Sequence, residues 1–403
     1  MRILFLSTWF PYPPDNGSKI RVYHLLRALG ARHKVTLLSF AFDTASPEGA
    51  NELNCFCADV ATVRRNPFDR GGISDTLRFF SPVPVVTRPL PEMTLAVRRS
   101  LAQADFDVVI ASVEVMATYA LLAPRATAKV LEEHNSLTRW MWERYREQAS
   151  VVQRLRCWIS WQKARRYQAW LFRHFDLCTM TSEQDRQTSL HTLPGYRGPV
   201  EVVSNGVDCQ HNHLGLAQPL PNALVFNGAL TYTANYGAMR YFLAEVYPLI
   251  KKRAPDVTLT ITGSTAGVNL AGLQLDESVR FSGYVDDVRP LVAGAWACVA
   301  PIHQGGGTRL KILEAMALGT PVVATSKGAE GLDVMPSQDI LIADEPVEFA
   351  AQVVRLLRDP ALRQRLVANA RCLVEQRYDW KQIGQRFAAL VESARIRALC
   401  QLR

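Results

Sequence analysis

Ala300 to Leu332 reads A-P-I-H-Q-G-G-G-T-R-L-K-I-L-E-A-M-A-L-G-T-P-V-V-A-T-S-K-G-A-E-G-L, and the order of its residue types decides the fold. The apolar run from Ala295 to Ile302 has strand length and no helical period. Three glycines, Gly305 to Gly307, and Thr308 follow. Arg309 to Leu318 is then a run of strong helix formers, stopped by Gly319 with Pro321 just beyond. A β-branched run from Pro321 to Thr325 enters a second glycine turn, Lys327 to Gly331. The reading is strand, glycine loop, helix, strand, glycine loop.

That arrangement favours an anion. Glycines let backbone approach a ligand closely, and the free N–H groups of a helix start present the positive end of its dipole. Arg309 and Lys311 add full charges at the same end, and Glu314, a turn further in, suits hydroxyl groups such as those of a ribose. Phosphate and sugar hydroxyls together point to a nucleotide sugar. No G-x-x-x-x-G-K-[ST] run occurs, which excludes a Walker loop.

With 403 residues the chain exceeds one ordinary core and fits two domains of roughly 200 residues each. Hydrophobic residues make up 48% and mean hydropathy is near zero, the composition of a soluble globular protein. No apolar segment has the length of a membrane span. The apolar start, Met1 to Phe10, runs into Pro11, Pro13 and Pro14 without a cleavage signature and reads as a buried first strand, not a signal peptide. Eight cysteines without C-x-x-C pairs suit reduced thiols in a cytoplasm. His211 and His213 alone make a poor zinc site, and no metal is expected. A net charge of +9 suggests an acidic ligand or surface, either anionic membrane or nucleic acid.

Along the chain, Arg2 to Ser7 and Val35 to Phe40 read as strands, joined by an amphipathic helix starting after Asn16-Gly17-Ser18. Thr44 to Pro91 is less regular, with helical pieces expected. Strands follow at Asp107 to Ser112 and at Lys129 onwards, and His134 emerges where such sheets present functional groups, with Asn135 as the expected helix cap. Leu137 to Phe175 interleaves Trp140, Trp142, Trp158, Trp161 and Trp170 with nine Arg and Lys side chains. Two readings stay open for it, docking on an anionic bilayer surface or a domain helix with core aromatics and solvated arginines. No nucleic-acid motif accompanies these charges. Ser182 and Asp185 read as a capping box, and Val257 to Gly263 and Val279 to Val285 as further strands.

The glycine loop, helix and following strand resemble the donor-site signature of retaining GT-B glycosyltransferases of family 4, in the subgroup linked to exopolysaccharide and other surface glycans. The resemblance covers most of the chain. It implies an α/β, GT-B fold of two Rossmann-like domains facing a deep cleft, with a last helix crossing back to the first domain. The domains expected are 1–208 for the acceptor, a linker at 209–221, 222–377 for the donor, and 378–403 returning. It further implies a nucleotide-sugar donor, a glycan or lipid-linked acceptor and no cofactor or nucleic acid. The expected location is cytoplasmic, free or peripheral on the inner membrane face.

Residue by residue, Glu314 matches the glutamate that binds the ribose in the family, and Glu330 a glutamate near the donor. Gly17, beside Asn16, matches a glycine whose backbone meets the donor phosphate, and His134 a histidine that contacts the transferred sugar. Tyr284 and Val285 fall on the segment that meets the nucleobase, and Gly306, Gly307 and Thr308 lie where the donor sugar is held. Two positions depart. The first glutamate of the family's Glu-x7-Glu pattern falls on Gly306. The turn from Gly228 to Asn235 lacks the Arg and Lys that bind the diphosphate. Arg309 and Lys311 are expected to replace that charge and take the catalytic role with His134. Rival readings are a nucleotide-sugar epimerase of the same fold and a non-catalytic scaffold in a glycan-assembly complex.

Overall fold

Seven short runs in the first half and six in the second each become a strand of an all-parallel sheet. The computed structural model describes residues 1–42, 47–69, 89–193 and 195–401, which fall into two compact units, Met1–Ser204 with Ile383–Arg403, and Asn205–Gln382. In the first unit the strands are β1 (Arg2–Ser7), β2 (Lys34–Phe40), β3 (Asp59–Val63), β4 (Val108–Ser112), β5 (Ala128–Glu132), β6 (Leu177–Met180) and β7 (Val200–Val202). Their order is β3-β2-β1-β4-β5-β6-β7. In the second unit they are β8 (Leu220–Phe226), β9 (Thr258–Thr262), β10 (Val279–Gly283), β11 (Ala295–Ala300), β12 (Val322–Ala324) and β13 (Leu341–Ile342), ordered β10-β9-β8-β11-β12-β13.

Both are doubly wound α/β sheets, so the expected Rossmann-like pair is present. In each, the strand order reverses beside the first strand of the unit, between β1 and β4 and between β8 and β11. Ligands of such sheets bind beyond the carboxyl ends of the strands at that reversal. Strands buried on both faces need apolar residues throughout, which is why β1 and β4 carry unbroken buried runs.

The helix Gly17–Gly30 packs Val22, Leu25, Leu26 and Leu29 inward at helical spacing, and Asn16 accepts a hydrogen bond from the Lys19 N–H at its start. The helix after the glycine loop is Leu310–Ala317, shorter by a residue at each end than its pattern suggests. Gly319 ends it with φ +79°, and a Cβ there would come within 2.6 Å of Leu214 Cδ2. The last helix, Trp380–Gln401, starts in the second unit and from Ile383 onward packs in the first. There Gly384 lies against Ala28, and Arg395 reaches Asp107 at 3.1 Å.

Several expectations change. The division falls at Ser204 and Asn205, and residues 209–221 are bound to the second unit. Arg371 donates to the carbonyls of Cys209, Asn212 and Ala317, and β8 already begins at Leu220. Ser136, not Asn135, caps the helix Leu137–Glu147, accepting from the Arg139 N–H, while Asn135 is exposed. Between Thr44 and Pro91 the structure adds the helix Pro47–Asn54 and β3, whose five residues give too short a pattern to read, while 44–46 and 70–88 lie outside the described residues.

Gly319→Ala combines a strained φ with a clash against Leu214, at a cost of about 1–3 kcal/mol. Its melting temperature in differential scanning calorimetry is expected to fall by several degrees; an unchanged value refutes this account of the helix stop.

Candidate active site

The second unit builds its site from the turn after β8 and the loop after β11, the two strands at the reversal. Asn227 leaves β8 and accepts from the Thr262 hydroxyl at 3.0 Å, while its amide donates to Glu314 Oε2 at 2.8 Å. Gly228 follows, its N–H donating to the same Thr262 oxygen at 3.1 Å. From the helix Leu310–Ala317, Lys311 reaches back into this turn. Its ammonium donates to Asn235 Oδ1 at 2.8 Å and lies 4.2 Å from the Phe226 ring centroid. A Cβ on Gly228 would stand 2.5 Å from that Nζ, so the absence of a side chain at 228 makes room for the lysine.

Lys311 and Glu314 are half-buried. Loss of hydration pushes the Lys311 ammonium down to about 8 and the Glu314 carboxyl up. The partners given to Lys311 are dipolar, an amide oxygen and a ring face. Among the described residues no carboxylate pairs with it directly, and Glu314, one turn on, acts on it only through its field.

Arg309 behaves differently from the expectation of a second free charge. Its guanidinium turns back on its own loop and donates to the carbonyls of Gly306, at 2.5 Å, and Gly305, at 2.5 Å, with Gln304 at 3.4 Å. It ties the glycine loop into shape. Gly305 and Gly307 take positive φ, and the Thr308 hydroxyl accepts from Asn205 at 2.7 Å. The exits of β8, β9 and β10 adjoin, because Gly263 packs on Ala229 and pairs with Gly283. Tyr284 comes next and is 78% exposed, with Val285 half-buried behind it. Glu330 pairs with Lys327 at 2.7 Å in the turn after β12. The structure thus joins Gly228, Lys311 and Glu314 through Asn227 and Asn235, two residues the sequence did not mark. Tyr284, Val285 and Glu330 stand at the exits of neighbouring strands.

In the first unit, Asn16 and Gly17 form the start of the helix after β1. Asn16 caps it, and its amide donates to Asp15 at 3.1 Å. His134 follows β5, with Nε2 at 3.0 Å from Ser112 Oγ and 3.1 Å from Glu132 Oε2. Behind it, Arg21 and Glu132 form a buried ion pair at 2.5 Å. Arg21 lies four residues before Leu25 on the buried stripe of its helix, and Glu132 ends a buried strand. A charge in each of those core positions is the signal that could have found them. Among the described residues, no group of three or more His, Cys, Asp or Glu side chains is placed to hold a metal ion.

Comparison with known proteins agrees on two matching halves. Residues 15–211 match the family described as Glycosyltransferase Family 4, and residues 221–359 the family described as Glycosyl transferases group 1. An uncharacterized 44.6 kDa protein in the cps region of Klebsiella pneumoniae is 22% identical over 95% of this chain and 97% of its own length. A glycogen synthase of Mycobacterium tuberculosis is 28% identical over 59% of this chain and 60% of its own. Among solved structures, sucrose-phosphate synthase from Thermosynechococcus elongatus superposes with a TM-score of 0.70 at 18% identity, covering 98% of this chain and 99% of that one. Anabaena HepE in complex with UDP superposes with 0.69 at 17% identity, over 98% and 100%. At these identities the superpositions show the GT-B fold.

The lowered Lys311 value has a pH consequence. Between about 8 and the ordinary lysine value the unfolded chain binds more protons than the folded one, so stability rises with pH there. Denaturant melts from pH 8 to 10.5 are expected to show this rise in the wild type and its loss in Lys311→Met; parallel curves for the two proteins contradict the assignment.

Proposed function

Because the chain belongs to the group 1 glycosyltransferases of family 4, we propose that it transfers a sugar from a nucleotide-diphosphate donor to a glycan acceptor with retention at the anomeric carbon. The observation that carries this reading is the Lys311 ammonium, placed beside Gly228 at the reversal of the second sheet, where its hydrogen-bond and ring partners are dipolar. A diphosphate supplies the missing anion. Lys311 then stands for the charge that the turn Gly228 to Asn235 lacks, while Arg309 holds the loop whose N–H groups and helix start face the same ligand. Anabaena HepE, of the same fold, is known in complex with UDP and with UDP-glucose, which supports a nucleotide-sugar donor.

In the retaining step, the bond from the anomeric carbon to the diphosphate oxygen breaks and the acceptor oxygen bonds to that carbon on the same face. The acceptor proton passes to the departing phosphate oxygen. Negative charge grows on the diphosphate, and Lys311 with the loop amides stabilises it. This electrostatic work calls for no metal ion. Glu314, Gly306, Gly307 and Thr308 hold the ribose and sugar, Tyr284 and Val285 the base, and His134 a sugar hydroxyl.

The acceptor is proposed to be a lipid-linked surface glycan, by analogy with the cps-region relative. The hairpin of Leu137–Glu147 and Val151–Phe172 fits such an acceptor. The two open readings of this stretch concern different parts of it. Tyr167, Leu171 and Phe172 enter the core, and Trp142 and Trp161 pack the helices together at 4.6 Å between ring centroids. Val151, Val152, Leu155 and Trp158 are exposed beside Arg154 and Arg156. An apolar tip ringed by arginines matches an anionic bilayer surface. Among the described residues no helix is long and apolar enough to cross a membrane.

Donor screening by thermal shift is expected to find one nucleotide sugar that raises the melting temperature, with the rise lost in Lys311→Met and Glu314→Ala. Incubation of that donor with lipid-linked glycans should then yield an elongated product with an unchanged anomeric configuration. Conversion of donor alone would indicate an epimerase, and binding without turnover a scaffold. For the hairpin, sedimentation with phosphatidylglycerol vesicles is expected to fall at least tenfold in Val152→Asp/Leu155→Asp, since each buried apolar side chain contributes about 1.5–3 kcal/mol. Equal sedimentation of both proteins excludes this surface.

A further inference from the structure

One ring nitrogen of His134 is engaged by buried partners, and the other meets none among the described residues. We propose that Glu132 is a positioning residue: with Arg21 and Ser112 it fixes the His134 ring as the tautomer protonated on Nε2, so that Nδ1 presents a lone pair to a hydroxyl of the sugar ligand. This deepens the glycosyl-transfer reading and rests on it for the identity of the ligand.

The argument starts at Arg21. Its Nε donates to Glu132 Oε1 at 2.5 Å and its Nη1 to the Ser204 carbonyl at 3.0 Å, with both side chains of the ion pair inaccessible to solvent. Burial alone would favour the neutral acid. The charge of Arg21 and contact with His134 overcome that and hold the Glu132 carboxyl below its usual range. An ionised carboxylate only accepts hydrogen bonds. A ring nitrogen 3.1 Å from Oε2 must therefore be the one that carries hydrogen, since a bare nitrogen would set lone pair against lone pair. Ser112 completes the set. Its hydroxyl donates to the same Oε2 at 2.9 Å and offers its oxygen to Nε2 at 3.0 Å.

The ring orientation is held from two other directions. Trp9 stacks on it with centroids 6.0 Å apart, and the Thr181 hydroxyl donates to the His134 carbonyl at 3.2 Å. Nδ1 is buried and has no partner among the described residues. A buried acceptor left unpaired is costly unless a ligand completes it. The missing complement is a single O–H donor, which every sugar supplies.

The test is the tautomer itself, read on the full chain labelled with 15N-histidine and without ligand. Long-range 1H–15N correlation, with His134 assigned by its disappearance in His134→Gln, is expected to show a protonated Nε2 and a bare Nδ1. In Glu132→Gln a neutral amide replaces the carboxylate, and the proton should redistribute towards Nδ1. In the same variant kcat is expected to fall roughly ten- to hundredfold with donor KM little changed. A wild-type ring with hydrogen on Nδ1, a Gln variant with the wild-type pattern, or a shifted tautomer with unchanged kcat overturns the proposal. If Glu132→Gln does not fold, the wild-type spectrum still decides, together with Ser112→Ala, which keeps the ion pair and should keep the proton on Nε2. The spectrum uses no substrate. A chain that transfers no sugar would therefore defeat the functional reading while leaving the tautomer result standing.

Discussion

The site in the second unit depends on where one ammonium is allowed to rest. Lys311 starts in the first turn of a helix whose free N–H groups already favour negative charge, and its stem runs to a turn on a different strand. It arrives there because position 228 has no side chain and because Phe226 and Asn235 offer a ring face and an amide oxygen. Neither partner cancels the charge. Partial loss of hydration lowers the lysine towards neutrality, and an anionic ligand reverses that by restoring a favourable field. The protonation of the lysine therefore depends on space that a glycine leaves open.

This geometry explains how the charge expected in one segment can be carried by another. The turn from Gly228 to Asn235 contributes shape and a hydrogen-bond acceptor, while the helix contributes the cation. Arg309, two residues away, does something else. Its guanidinium lies within reach of three backbone carbonyls of its own loop, where such a fork finds acceptors without any ligand. Two neighbouring basic residues that look equivalent in sequence thus separate into one that reaches a turn on another strand and one that braces its own loop.

Much of this was legible in residue order. The run from Ala300 to Leu332 gave strand, loop, helix and stop, because glycine positions and apolar period are local signals. Ser182 was readable as a cap for the same reason. What stayed hidden depends on contacts far apart in sequence or on the direction of a flexible side chain. Arg21 and Glu132 lie 111 positions apart, and nothing local pairs them. The direction of Arg309 is a rotamer choice. The basic, tryptophan-rich hairpin resisted a single reading because its apolar residues serve the core at one end and stand exposed at the other, while composition averages the two.

One polar group in each unit stands out at the carboxyl ends of its strands. In the second unit it is an ammonium that forms no ion pair among the described residues, in the first an imidazole nitrogen with no hydrogen-bond partner among them. Protein interiors rarely leave such groups unmatched, since desolvation without a partner costs more than the fold gains elsewhere from a single contact. Lys311 retains some solvent access, which limits its cost, and His134 is braced by neighbours that cannot themselves reach Nδ1. A diphosphate is the ligand proposed for the first and a sugar hydroxyl the one proposed for the second.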